Sequence, residues 1–192
     1  MRSVLAGLLL PLLVAGAAGA QTAEPVSGYV IDIRGAMSGL PKDTAFFPGL
    51  PADIVVPARG FGFDVGGHVY LFKLGPSRLG VGANYIRARG TVPGMVSTFS
   101  TIAPQVSFNF GSRAGWSYLS AGLGRASVKT TVDSDEGTTH HDADGLNALN
   151  FGGGARWFLA ARLAVGFDVR FNRVSGDTKA TLTSLSAGFS LR

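Results

Sequence analysis

The sequence predicts an all-β fold, an eight-stranded antiparallel up-and-down transmembrane β-barrel. Three observations carry that expectation. Large apolar residues alternate with small or polar ones at period two along much of the chain, the periodicity of a strand with two unlike faces. Connections alternate between short and long, as in barrels with tight turns on one side of a membrane and loops on the other. The N-terminus reads as an export signal ahead of a chain with low charge and no cysteine.

The N-terminal twenty residues form that signal. Arg2 is a minimal positive region, Val4–Val14 an apolar one interrupted by Pro11, and Ala18-Gly19-Ala20 a small-x-small cleavage site. The expected organisation is therefore a leader over 1–20, a short tail over 21–26 and a barrel over 27–192. Cleavage removes one charge, Arg2, so the formal charge falls from +5 to +4. That balance is too modest for a nucleic-acid surface. Without cysteine there is no lipoprotein anchor, disulfide or thiolate metal site. Charged residues make up 15% of the chain, against about 25% in soluble domains. Glycine, 28 of 192 residues, is about twice as frequent as usual.

The strands follow in order. The first spans Ser27–Ala36 (SGYVIDIRGA), with Asp32 and Arg34 on one row. The second, Gly60–Phe72, carries Asp64 and His68; Gly66-Gly67 is a candidate bulge that would turn His68 and Tyr70 outward. In the third, Arg78–Ala88, Leu79, Val81, Ala83 and Tyr85 alternate with Gly80, Gly82 and Asn84. In the fourth, Thr98–Phe110, Ile102, Val106, Phe108 and Phe110 alternate with Thr101, Ala103, Gln105, Ser107 and Asn109. The fifth is Trp116–Thr130. The sixth, Leu146–Leu159, sets Phe151 and Trp157 against Asn150, Gly152, Gly154 and Arg156. The seventh, Arg162–Arg173, is the clearest: Leu163, Val165, Phe167, Val169 and Phe171 alternate with small or polar residues. The eighth, Thr178–Leu191, repeats the pattern with Leu185, Ala187, Phe189 and Leu191 against serines and Gly188.

The polar row is too small and too weakly charged to be a water-facing surface, and an eight-stranded lumen is just wide enough for side chains to fill. The apolar row is therefore expected to face lipid and the polar row inward. Inward charges must be paired, so Asp32, Arg34, Asp64, His68, Arg156, Asp168 and Arg170 are expected to form a lumen network. A charge-lined conducting pore is the functional alternative. Phe72, Phe110, Trp116 and Trp157 lie beside the short turns and are expected to form a periplasmic aromatic girdle. Tyr85, Phe99 and Phe171 sit toward the long connections as its outer counterpart.

At this point the chain resembles the small outer-membrane barrels that include the membrane domain of OmpA, OmpX, OmpW and the opacity proteins. The segments APQVSFNFGSRAGWSYLSAGLG (Ala103–Gly124) and SLSAGFSLR (Ser184–Arg192) carry the resemblance. It implies residence in the outer membrane of a Gram-negative-type envelope, as a multi-pass barrel in contact with outer-membrane lipid and lipopolysaccharide. It also implies assembly by the barrel-assembly machinery, which would read the C-terminal segment. The chain departs from the group in ending Leu191-Arg192, so Phe189 is the nearest aromatic. Members serve as anchors, adhesins, channels or enzymes, so no single activity follows.

Three further groups bear on function. The long connections Met37–Arg59, Arg89–Ser97 and Thr131–Gly145 are expected outside the cell. Within the last, Asp133, Asp135, His140, His141 and Asp142 are weak candidates for a metal; the EF-hand spacing fails, and a solvated acidic tip is the simpler reading. The stretch 37–58 holds Phe46, Phe47, Leu50 and Ile54-Val55-Val56, an apolar patch that would contact lipid, adhere, gate the lumen or pack on other loops. Arg59, Arg87, Arg89 and Arg125, near the outer strand ends, are candidates for lipopolysaccharide phosphates. No nucleophile–base pair, phosphate loop or metal-protease motif stands out, so neither enzyme nor cofactor is expected. The sequence predicts a monomeric barrel with a structural, adhesive or surface-interaction role in its extracellular loops. A narrow channel for small or hydrophobic solutes is the alternative, and a lipid-modifying enzyme the third class.

Overall fold

The computed structural model describes residues 28–43, 46–47, 50, 54–112, 114–135, 137–176 and 178–192. The expected leader over 1–20 and tail over 21–26 lie outside the described residues. Eight strands, β1 (Tyr29–Gly39), β2 (Arg59–Leu74), β3 (Ser77–Val92), β4 (Met95–Ser112), β5 (Gly115–Ser134), β6 (Gly137–Phe158), β7 (Leu163–Ser175) and β8 (Lys179–Leu191), close into a ring. Each is antiparallel to its neighbours, and β1 pairs with both β2 and β8. Closure leaves no unpaired sheet edge, which a bilayer would not tolerate.

The strand rows point as their chemistry requires. Ile33, Val81, Ile102, Val106, Leu119, Phe151, Phe167 and Phe189 are all exposed on the outer wall. Their neighbours Asp32, Asn84, Gln105, Ser120, Asn150, Asp168 and Ser190 are buried. An exposed apolar belt of this extent is stable only in contact with lipid.

In β2, the bulge lies further along than Gly66-Gly67. The register shifts between Tyr70 and Phe72, so His68 and Tyr70 stay inside, and Leu71 and Phe72 both face out at 58% and 61% exposure.

Two of the three expected long loops are instead paired strand. The connection expected over Arg89–Ser97 shrinks to Pro93-Gly94 between β3 and β4, where Gly94 has φ +74°, as the third position of a Pro-Gly turn requires. The connection expected over Thr131–Gly145 is a long β5–β6 hairpin, with register shifts between Ala126 and Val128. Polarity is no bar to pairing there: outward residues meet water, while Val128 and Val132 still find an inward core. Only 40–58, between β1 and β2, remains without strand structure among its described residues. The asymmetry between the two ends of the barrel thus lies more in strand length than in loop length.

Candidate functional site

The barrel interior is filled in three layers. At the end carrying Gly28, Arg192 and the connections over 75–76 and 159–162, Val30, Tyr70 and Trp116 are buried together, with Phe158 packed against them. The Tyr70 and Trp116 rings meet edge-on at 6.2 Å, and Trp116 and Phe158 lie 4.7 Å apart. The Arg192 guanidinium covers Phe158 at 3.7 Å and its Nε donates to the Ala161 carbonyl at 2.9 Å. Short turns of this kind face the periplasm in membrane barrels.

Trp116 therefore corrects the expected girdle. It is 1% exposed and lies in the lumen, whereas Phe72 and Trp157 face outward and Phe110 lies part-buried on the outer face. Leu119 and Leu123 of β5 point out, so strand alternation sends Trp116, Tyr118 and Ser120 in. Phe99 moves inward for the same reason, because its β4 neighbour Ile102 faces lipid and Thr101 does not. Tyr85 is half-buried and Phe171 exposed on the outer wall.

The middle layer holds the charges. Arg156 grips Asp32 with two hydrogen bonds, Nε to Oδ1 at 2.8 Å and Nη2 to Oδ2 at 2.6 Å. Arg34 bridges two carboxylates, with Nη2 at 2.7 Å from Asp32 and Nη1 donating to Asp64 at 3.3 Å. Arg170 grips Asp168 at 2.8 and 2.9 Å. Hydroxyls and amides complete the carboxylates: Ser190 donates to Asp32 at 2.6 Å and Ser186 to Asp64 at 2.7 Å, Asn84 donates to Asp64, and Tyr118 to Asp168. The Tyr118 ring also lies under the Arg156 guanidinium, 3.8 Å away. Arg170 continues to Asn150 at 2.9 Å, and Asn150 to Asn172 at 2.7 Å.

Arg34, Arg156 and Arg170 thus balance Asp32, Asp64 and Asp168, and all six are buried. In so buried a site only paired and hydrogen-bonded charges are tolerable. His68 is brought into the same lumen but joins none of the ion pairs; its ring stacks on Tyr70 at 6.3 Å. Tyr118 is the member that the sequence reading missed. The signal was present: period two carried through Leu119 and Leu123 places it inward beside the charges.

The third layer is apolar and lies toward the opposite end. Phe99, Val128, Val132, Leu146, Ala148, Val174 and Leu182, from five strands, form one buried cluster. Phe46 and Phe47, from the connection between β1 and β2, insert into it at 2% and 1% exposure. The backbone NH of Leu40 donates to the Ala58 carbonyl, continuing the β1–β2 ladder one step past Gly39 and Arg59, and that of Phe46 to the Asp43 carbonyl, both at 3.0 Å.

The candidate metal ligands do not converge. On the β5–β6 hairpin, His140 is opposite Thr131 and His141 opposite Thr130, so the two rings leave opposite faces. Asp133 accepts from Thr138 at 2.7 Å, and Asp142 lies 3.7 Å from Lys129. Asp135, in the turn, is exposed. No group of three His, Cys, Asp or Glu able to hold a metal occurs among the described residues. Arg59, Arg87, Arg89 and Arg125 are exposed on the outer wall. The first three share β2 and β3, while Arg125, on β5, donates to Asn147 at 2.7 Å and to the Gly145 carbonyl at 3.0 Å.

Ring closure by eight antiparallel strands, a lipid-facing belt and a polar, plugged lumen define the class: a small transmembrane β-barrel of the outer-membrane type. Solved structures share that fold. Neisserial surface protein A is similar with a TM-score of 0.59 at 16% identity, over 88% of this chain and 99% of that chain. Ail, the attachment invasion locus protein of Yersinia pestis, is similar with a TM-score of 0.55 at 15% identity, over 86% and 99%. No protein-family model and no curated protein matches the chain. At these identities the likeness is one of fold.

Proposed function

We propose that this chain is an integral outer-membrane barrel that does not conduct and acts at the cell surface through its extracellular rim. The observation that carries this reading is the lumen filled at three successive levels: an aromatic base, a charge-balanced network and an apolar plug containing Phe46 and Phe47. A solute path would have to break the Arg156–Asp32 and Arg170–Asp168 pairs and displace the plug, whereas a structural or adhesive barrel needs a rigid, closed interior. The other support is the β5–β6 hairpin, which presents exposed Asp133, Thr138, His140 and Asp142 beyond the barrel body. Ail is named for attachment and invasion and is also solved with a heparin analogue, at a TM-score of 0.53; a surface role here is compatible with that likeness.

The test has two arms. In planar bilayers the purified protein is expected to give no steady openings; steady openings abolished by Arg156→Ala or Asp168→Ala would establish the channel instead. Cells displaying the quadruple variant Asp133→Ala/Thr138→Ala/His140→Ala/Asp142→Ala, altered only at exposed side chains, are expected to lose binding to host-cell or matrix-coated surfaces while keeping the heat-modifiable gel shift of a folded barrel. Unchanged binding would move the function off this hairpin.

A further inference from the structure

Two concavities on the outer wall meet end to end where β1 and β8 close the ring. The lower, about 530 Å³, has Gly35 and its register partner Ala187 in its floor and is flanked by Phe61 and Phe167. The upper, about 510 Å³, shares Met37 and Leu185 with the lower and adds Thr181, Thr183, Lys42 and Arg59. Together they form a groove that is apolar below and cationic above.

Its floor is open by sequence choice and not by backbone need. A Cβ at Gly35 would come no closer than 3.9 Å to another heavy atom, the Ala187 carbonyl oxygen, and the residue has no positive φ. At Gly188, next to Ala187 but facing inward, a Cβ would stand 2.4 Å from the Ile33 oxygen. Glycine at 188 is thus demanded by packing, whereas at 35 its effect is to leave a slot. Along the hydrogen-bonding direction the outward row reads Phe63, Gly35, Ala187, Phe167: two small residues between two phenyl rings.

The upper end lies where the wall changes polarity. Inward residues switch from polar to apolar between Ser184 and Leu182 on β8, and between Ser38 and Leu40 after β1. Outward residues at that level switch from Leu185 to Thr183 and Thr181. This inversion marks the membrane–water boundary, and Lys42 and Arg59 line the cavity at that depth. Both are exposed, and neither is in an ion pair among the described residues.

We infer that this seam binds one molecule of the phosphorylated glycolipid of the outer leaflet, with an acyl chain over Gly35 and Ala187 and a phosphate between Lys42 and Arg59. Guanidinium and ammonium groups are the natural partners of a phosphate at an interface, and the acyl chain fills a slot that bulk lipid would pack less well. This inference rests on the outer-membrane reading above.

The experiment uses the mature chain in nanodiscs of phosphatidylcholine containing diphosphorylated lipid A, followed by native mass spectrometry after detergent release. Wild type is expected to retain one lipid A per chain. Gly35→Phe, which fills the slot, and the double variant Lys42→Gln/Arg59→Gln are each expected to lower occupancy at least tenfold, while Ile102→Phe on the far wall leaves it unchanged. Equal retention by these variants, or equal retention of dephosphorylated lipid A, would overturn the site, as would disulfide-linked dimers of Gly35→Cys in membranes, which would put a second copy there. Should Gly35→Phe fail to fold, the double variant, altered only at exposed side chains, decides alone. Fractionation and heat-modifiability of wild type report separately on residence, so its failure and the failure of the site are distinguishable.

Discussion

The middle and upper layers of the lumen are built from the same strands, yet one is ionic and the other apolar. On β5 the inward row runs Tyr118, Ser120, Gly122, Gly124 and then Ala126 and Val128, while the outward row runs Leu119, Ala121, Leu123 and then Arg125, Ser127 and Lys129. β6, β7 and β8 invert at matching places, from Asn150 to Ala148, Asn172 to Val174, and Ser184 to Leu182. Where lipid covers the outside, the hydrophobic effect gives no reason to bury apolar groups inward, and directional pairs must specify the interior. Where water covers the outside, ordinary burial resumes and an apolar core forms. One sheet thus obeys two solvents, and its inversion line records the boundary between them.

The largest expected effect comes from the ionic layer. Asp32 holds Arg156 and Arg34 and accepts from Ser190. Asp32→Ala leaves two buried guanidinium groups short of a counter-charge and should destabilise the barrel by about 3–5 kcal/mol. Urea titration followed by gel shift in lipid vesicles measures it. A loss under 1 kcal/mol would mean that water already solvates this layer and that the contrast between the layers is false.

A second substitution pair probes the inversion line directly. Val106 and Thr98 lie on the outward row of β4, on opposite sides of it. Val106→Lys places a charge in hydrocarbon and should cost about 2–4 kcal/mol. Thr98→Lys, across from Arg89 and Lys129, adds a like charge in water and should cost no more than about 1 kcal/mol. Equal costs in the same titration would erase the boundary.

The apolar layer should fail locally instead of globally. Phe47 enters its cluster from the connection and not from a strand. Phe47→Ala removes a buried ring and should favour opening of 40–58 by about 3 kcal/mol, seen as faster proteolytic cleavage there with the heat-modifiable shift retained. Collapse of the whole barrel would show that the plug and the ionic layer form one cooperative unit.

These contrasts also explain what was legible in the sequence. The rows of β3, β4, β7 and β8 and the charged members of the lumen could be read because lipid on one side and packed polar groups on the other leave a strict alternation. Trp116 and Phe99 misled because nearness to a strand end suggested a girdle, whereas strand parity decides which way a ring points. The β5–β6 hairpin misled because polarity beyond the membrane reads as loop, although a paired ladder satisfies backbone groups in water equally well. The insertion of Phe46 and Phe47 was one of four open possibilities, since exposed apolar runs carry no address; only the inward cluster at the mouth supplies one.

The smallest expected effect sharpens the comparison from the water side. Lys129 lies 3.7 Å from Asp142 and 3.8 Å from Asp144, with its side chain 58% exposed. Both are charge pairs between strands, like that of Arg156 with Asp32, but solvent screens them and the long side chain loses entropy when held. Lys129→Ala should therefore change stability by no more than about 0.5 kcal/mol, and added salt should remove even that. Over the same salt range the unfolding midpoint of Asp32→Ala relative to wild type should not move, because its charges sit where counter-ions do not reach. A salt-sensitive Asp32 and a salt-insensitive Lys129 would invert the assignment of solvents to the two halves of the barrel.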